Sequence, residues 1–249
     1  MLDGVDECDY EELYKQWASK QQTMIQDLQR VLEKHVEEEE LQQVVHKAHS
    51  QYEAYYDAID ATARRDVLQI VDPSWKTPLE KAFMWLGEWR PSTVYQLVYA
   101  LAGQQVEEEL KDLLSGIEAP SMVSLSASQL EEIHRMQMRT VEEEDRVRDY
   151  VARLQQSMAD KPMLISLAAS GGDGDECGGK GGEMKKGVMG AKLKQLQELA
   201  LRADLLRRRT LAGVLRSLNP LQRAQFLLAS SQLNVAMRHV GERLRDLSA

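Results

Sequence analysis

The sequence predicts an all-α fold, an antiparallel bundle of about seven helices. Three observations carry this. Apolar residues step by three or four almost throughout, which is the helical period. Leu, Ala, Gln, Glu and Arg are abundant, and nine of the 15 glycines fall between residues 170 and 190. No stretch shows the alternation expected of a half-buried strand.

The first stripe runs through Tyr10, Leu13, Tyr14, Trp17, Met24, Ile25, Leu28, Val31 and Leu32. A second continues from Leu41 through Val45, Ala48, Tyr52, Tyr55, Tyr56, Ile59 and Val67. The acid run Glu37–Glu40 between them suits the first turn of the second helix, where negative charge meets the positive end of the dipole. Asp72-Pro73 is expected to end that helix. Thr77-Pro78-Leu79-Glu80 reads as a capping box with proline in the first turn, and Gly87 as the stop of the short helix that follows. Arg90-Pro91-Ser92 connects to a helix through Val94, Leu97, Val98 and Leu101 and on to Leu114, ended by Gly116. Residues 118–126 read as a loop. Ser128-Gln129-Leu130-Glu131 gives a second capping box, opening a long helix to Met158. Residues 170–190 are too polar and glycine-rich to bury a core and are expected to form a flexible linker within a single domain spanning 1–249. Two last helices follow, separated by Asn219-Pro220 acting as cap and first-turn proline.

Composition restricts the function classes. The chain carries a net charge of −9, has two cysteines (Cys8 and Cys177) and contains no apolar run of membrane-spanning length. A disulfide scaffold and a membrane helix are not expected, and the acidic first residues resemble neither a secretory nor a transit leader. A nuclear or cytoplasmic protein is the expectation. Charge is polarised: residues 1–60 hold 15 acids against five bases, and residues 191–249 hold four acids against 11 bases. Head-to-tail pairing within the bundle accounts for this better than a basic face offered to an acidic partner.

No motif points to catalysis. Gly174 to Lys180 approaches a P-loop, but Gly181 replaces the hydroxyl residue and no strand precedes it, so it reads as linker. His46 and His49 lie one helical turn apart without further ligands, His35 and His134 have no partner motif, and the acid runs Glu37–Glu40 and Glu142–Asp145 lack a calcium-loop pattern. No metal site is expected. Arg207-Arg208-Arg209, with Arg202 and Arg216, has no interleaved aromatics and reads as an interhelix or partner-facing salt-bridge strip rather than a nucleic-acid site. The stripe Tyr10, Tyr14, Trp17 is core-like by spacing. Its place near a chain end, and the prominence of Tyr and Trp in binding hot spots, give it a second reading as a docking surface.

The segment Trp75-x-Thr77-Pro78-Leu79-Glu80-Lys81-Ala82-Phe83-Met84-Trp85-Leu86-Gly87, then Trp89-Arg90-Pro91-Ser92 and Leu97-Val98-Tyr99-Ala100-Leu101, resembles the central signature of plant Delay-of-Germination-type proteins. That domain is shared with the C-terminal half of TGA-type bZIP transcription factors. The likeness extends from Tyr14-x-x-Trp17 to Asn219-Pro220-Leu221-Gln222 and Phe226-Leu227-Leu228-Ala229. It implies a non-enzymatic plant regulator of seed dormancy and abscisic-acid signalling, or of transcription, acting by protein–protein contact. The implied partners are type-2C protein phosphatases or bZIP factors. The family's phosphatase-contact segment maps onto Leu13 to Trp17, so Tyr10, Leu13, Tyr14 and Trp17 are the expected partner-binding residues. Trp75, Thr77, Pro78, Leu79, Glu80, Trp85, Gly87, Arg90, Pro91 and Ser92 are expected to be mainly structural, and the block's Trp and Phe side chains are core-sized. The family's haem-binding histidine positions correspond to Asn234 and Arg238, so no cofactor carries over. A haem or lipid-tail sensor remains the alternative ligand reading. The basic region and zipper of the TGA relatives have no counterpart, and direct base reading is not expected.

Overall fold

A computed structural model of the chain describes residues 10–34, 36–103, 125–159 and 181–248. Among these residues there are eight α-helices rather than about seven: α1 (Tyr10–Glu33), α2 (Glu38–Arg65), α3 (Val67–Val71), α4 (Pro78–Phe83), α5 (Thr93–Leu101), α6 (Ala127–Gln156), α7 (Gly181–Ser217) and α8 (Pro220–Ser248). A 3-10 turn at Ser157–Ala159 closes α6. The helix α8 packs against α1, α2 and α4, and α7 packs against α2 and α6. The core is one continuous cluster drawn from α1, α2, α3, α5, α6, α7 and α8, with Leu28, Ile59, Ile133, Val214 and Phe226 fully enclosed.

Several boundaries differ from those the sequence suggests. The second long helix stops at Arg65, before Asp72-Pro73, because Asp66 turns extended and caps the separate α3 by accepting from the Leu68 N–H at 3.0 Å. The capping box of α4 forms as expected, with Thr77 and Glu80 exchanging bonds. That helix nevertheless ends at Phe83, not at Gly87. Met84–Trp85 (β1) and Glu88–Trp89 (β2) pair as a small antiparallel hairpin. Leu86 and Gly87 have φ of +48° and +96°, which is the double left-handed turn that suits a two-residue hairpin. A β-carbon on Gly87 would stand 2.5 Å from Ile70 Cγ2, so glycine is required there for space as well as for conformation. Alternation is too short over two-residue strands to be seen in a sequence.

Ser92 caps α5 without a side-chain bond, and Thr93 donates to the Arg90 carbonyl instead. The long helix α6 opens on Ser126 and Gln129 rather than on Ser128 and Glu131. Asn219 caps α8 as expected, accepting from the Gln222 N–H at 2.9 Å. The helix α7 begins at Gly181, so residues 181–190, expected to belong to the linker, are helical. The remainder of that stretch lies outside the described residues, as do Cys8, Cys177, His35, the P-loop-like segment and residues 104–124.

Part of the charge polarity is met between α2 and α7. Arg208 on α7 pairs with Asp57 of α2 at 2.7 Å and with Glu53 and Asp60 at 3.4 Å. The acid run of α6 is also absorbed locally. Glu144 is enclosed and accepts from Arg90 Nε at 2.7 Å and from the Ser92 N–H at 2.6 Å, while Glu143 and Asp145 pair with Arg146 and Arg148.

Candidate functional site: a charged aromatic knot beneath the first helix

The densest polar chemistry lies where α1 crosses the 75–89 block. Lys76 and Glu88 are both inside the protein, 3.0 Å apart. The Lys76 ammonium also donates to the Gly87 carbonyl at 3.2 Å and to the Tyr10 hydroxyl at 3.3 Å. Tyr10 donates to Glu88 Oε1 at 2.6 Å, and Tyr55 of α2 donates to the same oxygen at 2.9 Å. One hairpin carboxylate thus gathers donors from α1, α2 and the connection before α4. Burial alone would raise the Glu88 carboxyl. The Lys76 charge, the Tyr10 hydroxyl and Arg207 together outweigh it and hold the group below its ordinary value. Burial first, and the Glu88 charge second, push both Tyr10 and Tyr55 well above the ordinary tyrosine range, so both stay protonated donors.

Aromatic rings enclose this pair. Trp75 meets Tyr10 edge-on at 5.3 Å and Tyr14 at 4.8 Å, and Lys76 lies 4.8 Å from the Tyr14 ring centre. Tyr14 donates to Glu80 Oε1 at 2.7 Å, and the other Glu80 oxygen closes the α4 capping box. Trp17 stacks on Tyr55 at 4.5 Å and meets Tyr52 edge-on at 4.9 Å.

A second buried cation clamps the hairpin from the other side. Arg207 donates to the carbonyls of Trp85, Leu86 and Trp89, pairs with Asp204 one turn earlier, and covers the Trp85 ring at 5.6 Å. Burial raises the Asp204 carboxyl to about 6 despite the Arg207 charge. Asp204 Oδ2 is enclosed and has no hydrogen-bond partner among the described residues.

The expected docking stripe divides in two. Tyr10 and Trp17 are 0% and 5% exposed, so they are interior side chains and not the exposed anchors anticipated for a helix near a chain end. The physical reason is that the hairpin and α2 cover the start of α1. Leu13 and Tyr14 are half-buried, and Lys15 and Gln16 lie at the surface. Tyr14 and Lys15 border a cleft of about 270 Å³ between α1 and α8, whose other wall carries Asn234, Arg238 and His239. Arg238 stands 5.4 Å from the Tyr14 ring and pairs with Glu242 at 3.1 Å. The two positions corresponding to haem ligands therefore share one face, but they present an amide and an engaged guanidinium.

Of the block residues, Thr77 and Pro91 are buried and Trp75, Leu79, Glu80, Trp85, Arg90 and Ser92 half-buried. Phe83 is 48% exposed, against the expectation of a core residue, and Pro78 is exposed at the first turn of α4. Phe83, Trp89, Arg90, Val94, Leu97 and Arg207 border a mostly apolar cavity of about 410 Å³ that reaches Phe226 and Leu233 of α8.

Lys76 and Glu88, the centre of the knot, occupy positions of the Trp75–Ser92 block that no sequence motif singles out. The available signal is a charge flanked on one side by tryptophan: Trp75-Lys76 and Glu88-Trp89.

A family model described as "Seed dormancy control" (DOG1) matches residues 24–100, from the middle of α1 through most of α5. The Arabidopsis thaliana protein DOG1-like 3 is 31% identical over 248 residues, covering 94% of this chain and 83% of that protein. This chain belongs to the DOG1 family. DOG1-like 2 from the same plant is 27% identical over 94% of the chain and 90% of its own length. Transcription factors match as well: rice transcription factor TGA2.3 is 31% identical over 90% of this chain but only 61% of the factor. The wheat transcription factor HBP-1b(c1) is 29% identical over 88% of the chain and 41% of its length. These relatives are named as DOG1-like proteins and transcription factors. No helix among the described residues is long and apolar enough to cross a membrane, and no group of three or more metal-ligating side chains occurs there.

Proposed function

We propose that the protein is a non-enzymatic plant regulator that acts by protein–protein contact, in the nucleus or the cytoplasm, in seed-dormancy and abscisic-acid signalling. The observation that carries this reading is the knot itself. Its buried charges and hydroxyls bond to one another, which ties α1 to the 75–89 block and leaves Lys15 and Gln16 at the surface, with Leu13 and Tyr14 half-buried beside them. The proposed partner is a type-2C protein phosphatase, met by Leu13, Tyr14 and Lys15, with Tyr10 and Trp17 supporting that face from inside. The test is capture of such a phosphatase by the purified chain. Lys15→Glu, exposed and harmless to the core, should weaken capture at least about tenfold; equal capture by the variant overturns the assignment.

The likeness to TGA factors favours a second partner class, a bZIP factor, with this chain contributing no base reading of its own. Pull-down from plant nuclear extract should then recover bZIP proteins, and their absence removes this reading. The mostly apolar cavity bordered by Phe83 and Trp89 supports a ligand reading, a lipid tail with its acid head near the half-buried Arg90. Titration with a long-chain fatty acid should raise the melting temperature; no change discards it. A haem titration without a Soret shift discards the haem version.

A further inference from the structure

We propose that the cleft between α2 and the corner joining α7 to α8 is a binding site for a phosphoryl group. The cavity measures about 460 Å³, within the usual range for small-molecule sites. Val45, Leu215 and Pro220 contribute apolar wall, and His46, His49, Arg216 and Arg223 border the same space.

The placement follows from the fold. His46 and His49 are three residues apart on α2, so both imidazoles leave one face of the helix. Arg216 sits in the last turn of α7 and Arg223 in the first turn of α8. The Asn219-Pro220 corner brings these two turns to one cavity.

Hydrogen bonding separates these side chains from the arginines elsewhere on the same helices. Arg207 is spent on the hairpin, Arg208 on three acids and Arg238 on Glu242. Among the described residues Arg216 and His46 make no hydrogen bond or ion pair, and Arg223 commits only its Nε, to the Leu218 carbonyl at 2.8 Å. His49 Nε2 is enclosed without a hydrogen-bond partner. The nearest acid is Glu53, 3.6 Å from that nitrogen, and Glu53 is itself engaged by Arg208 at 3.4 Å. Glu38, one turn before Gln42 at the cavity edge, accepts from that amide at 2.8 Å.

Two guanidinium groups without an acidic partner among the described residues therefore line one concavity, beside two imidazoles able to donate N–H bonds, in a chain of net charge −9. A concavity lined by one sign of charge focuses its field on a counter-ion. Forked guanidinium donors match a group with several acceptor oxygens and close to two negative charges, which is a phosphoryl rather than a single carboxylate. The apolar wall suits the carbon skeleton that carries it.

The experiment is calorimetric titration of the full chain at constant ionic strength with inorganic phosphate, a phosphoserine peptide and its unphosphorylated form. Saturable binding of phosphate is expected, weakened at least about tenfold by Arg216→Gln, an exposed position, and by His46→Gln. A phosphopeptide binding about tenfold tighter than phosphate assigns a protein-borne phosphoryl group; equal or weaker binding assigns a free one. No saturable binding, equal binding of the unphosphorylated peptide, or affinity unchanged in both variants overturns the proposal.

Discussion

Tyr10 donates a 2.6 Å hydrogen bond to Glu88 across 78 residues of sequence, with both side chains buried. This bond fastens the start of the first helix to the hairpin, and Lys76 supports it by donating both to the same carboxylate oxygen and to the Tyr10 hydroxyl. Such a pair is expensive to bury and strongly destabilising to break, because the partner left behind is an unmatched interior charge.

Glu88→Gln should therefore destabilise the fold by about 3–5 kcal/mol at neutral pH, since Lys76 loses its counter-charge. The folded carboxyl lies below its ordinary value of 4.5, so the stability it contributes is present above that value and lost as pH falls through the lowered one. Denaturant unfolding of the two proteins should show the gap at pH 7 and its shrinkage in acid.

Asp204 has the opposite sign. Its folded value, about 6, exceeds the ordinary 3.8, so the native state holds the proton more tightly than the unfolded chain. Its ionisation costs stability as pH rises between these values, and the cost is full above about 6. Between pH 4 and 6 the wild type should lose stability relative to Asp204→Asn by up to about 3 kcal/mol, measured by urea midpoints across that window.

Trp17→Ala should cost about 3–5 kcal/mol, the range for a large aromatic removed from a core, and should not leave stability untouched as a surface anchor would. Thermal melting followed by circular dichroism distinguishes the two.

Gly87→Ala should destabilise by about 1–3 kcal/mol through its left-handed conformation alone, and by more if Ile70 cannot move aside. The comparable Gly241→Ala change meets Thr77 Oγ1 at 2.2 Å with no unusual φ, so there the effect reports helix packing of α8 on α4. Melting temperatures of both variants check this.

Helical periodicity is legible because each apolar stripe repeats over many turns, as from Tyr10 to Leu32 and from Leu41 to Ile59. Strong capping chemistry was legible at Thr77 and Asn219 for the same reason: the partners are three residues apart. The Met84–Trp89 hairpin was not, since two-residue strands leave no period and a Gly after an amphipathic turn looks like a helix stop. The inside-or-outside state of Tyr10 and Trp17 depends on contacts with Glu88 and Tyr55, far along the chain, so no local pattern could decide it. In the arginine strip, Arg208 pairs with acids on α2 as a salt-bridge strip implies, whereas Arg207, one position away, turns inward to the hairpin carbonyls.

A double-mutant cycle between Tyr10→Phe and Glu88→Gln tests the central claim, that a buried knot locks α1 to the central block. Equilibrium unfolding of the wild type, both single variants and the double variant should give a coupling above about 1 kcal/mol. Additive effects within about 0.3 kcal/mol would contradict the account.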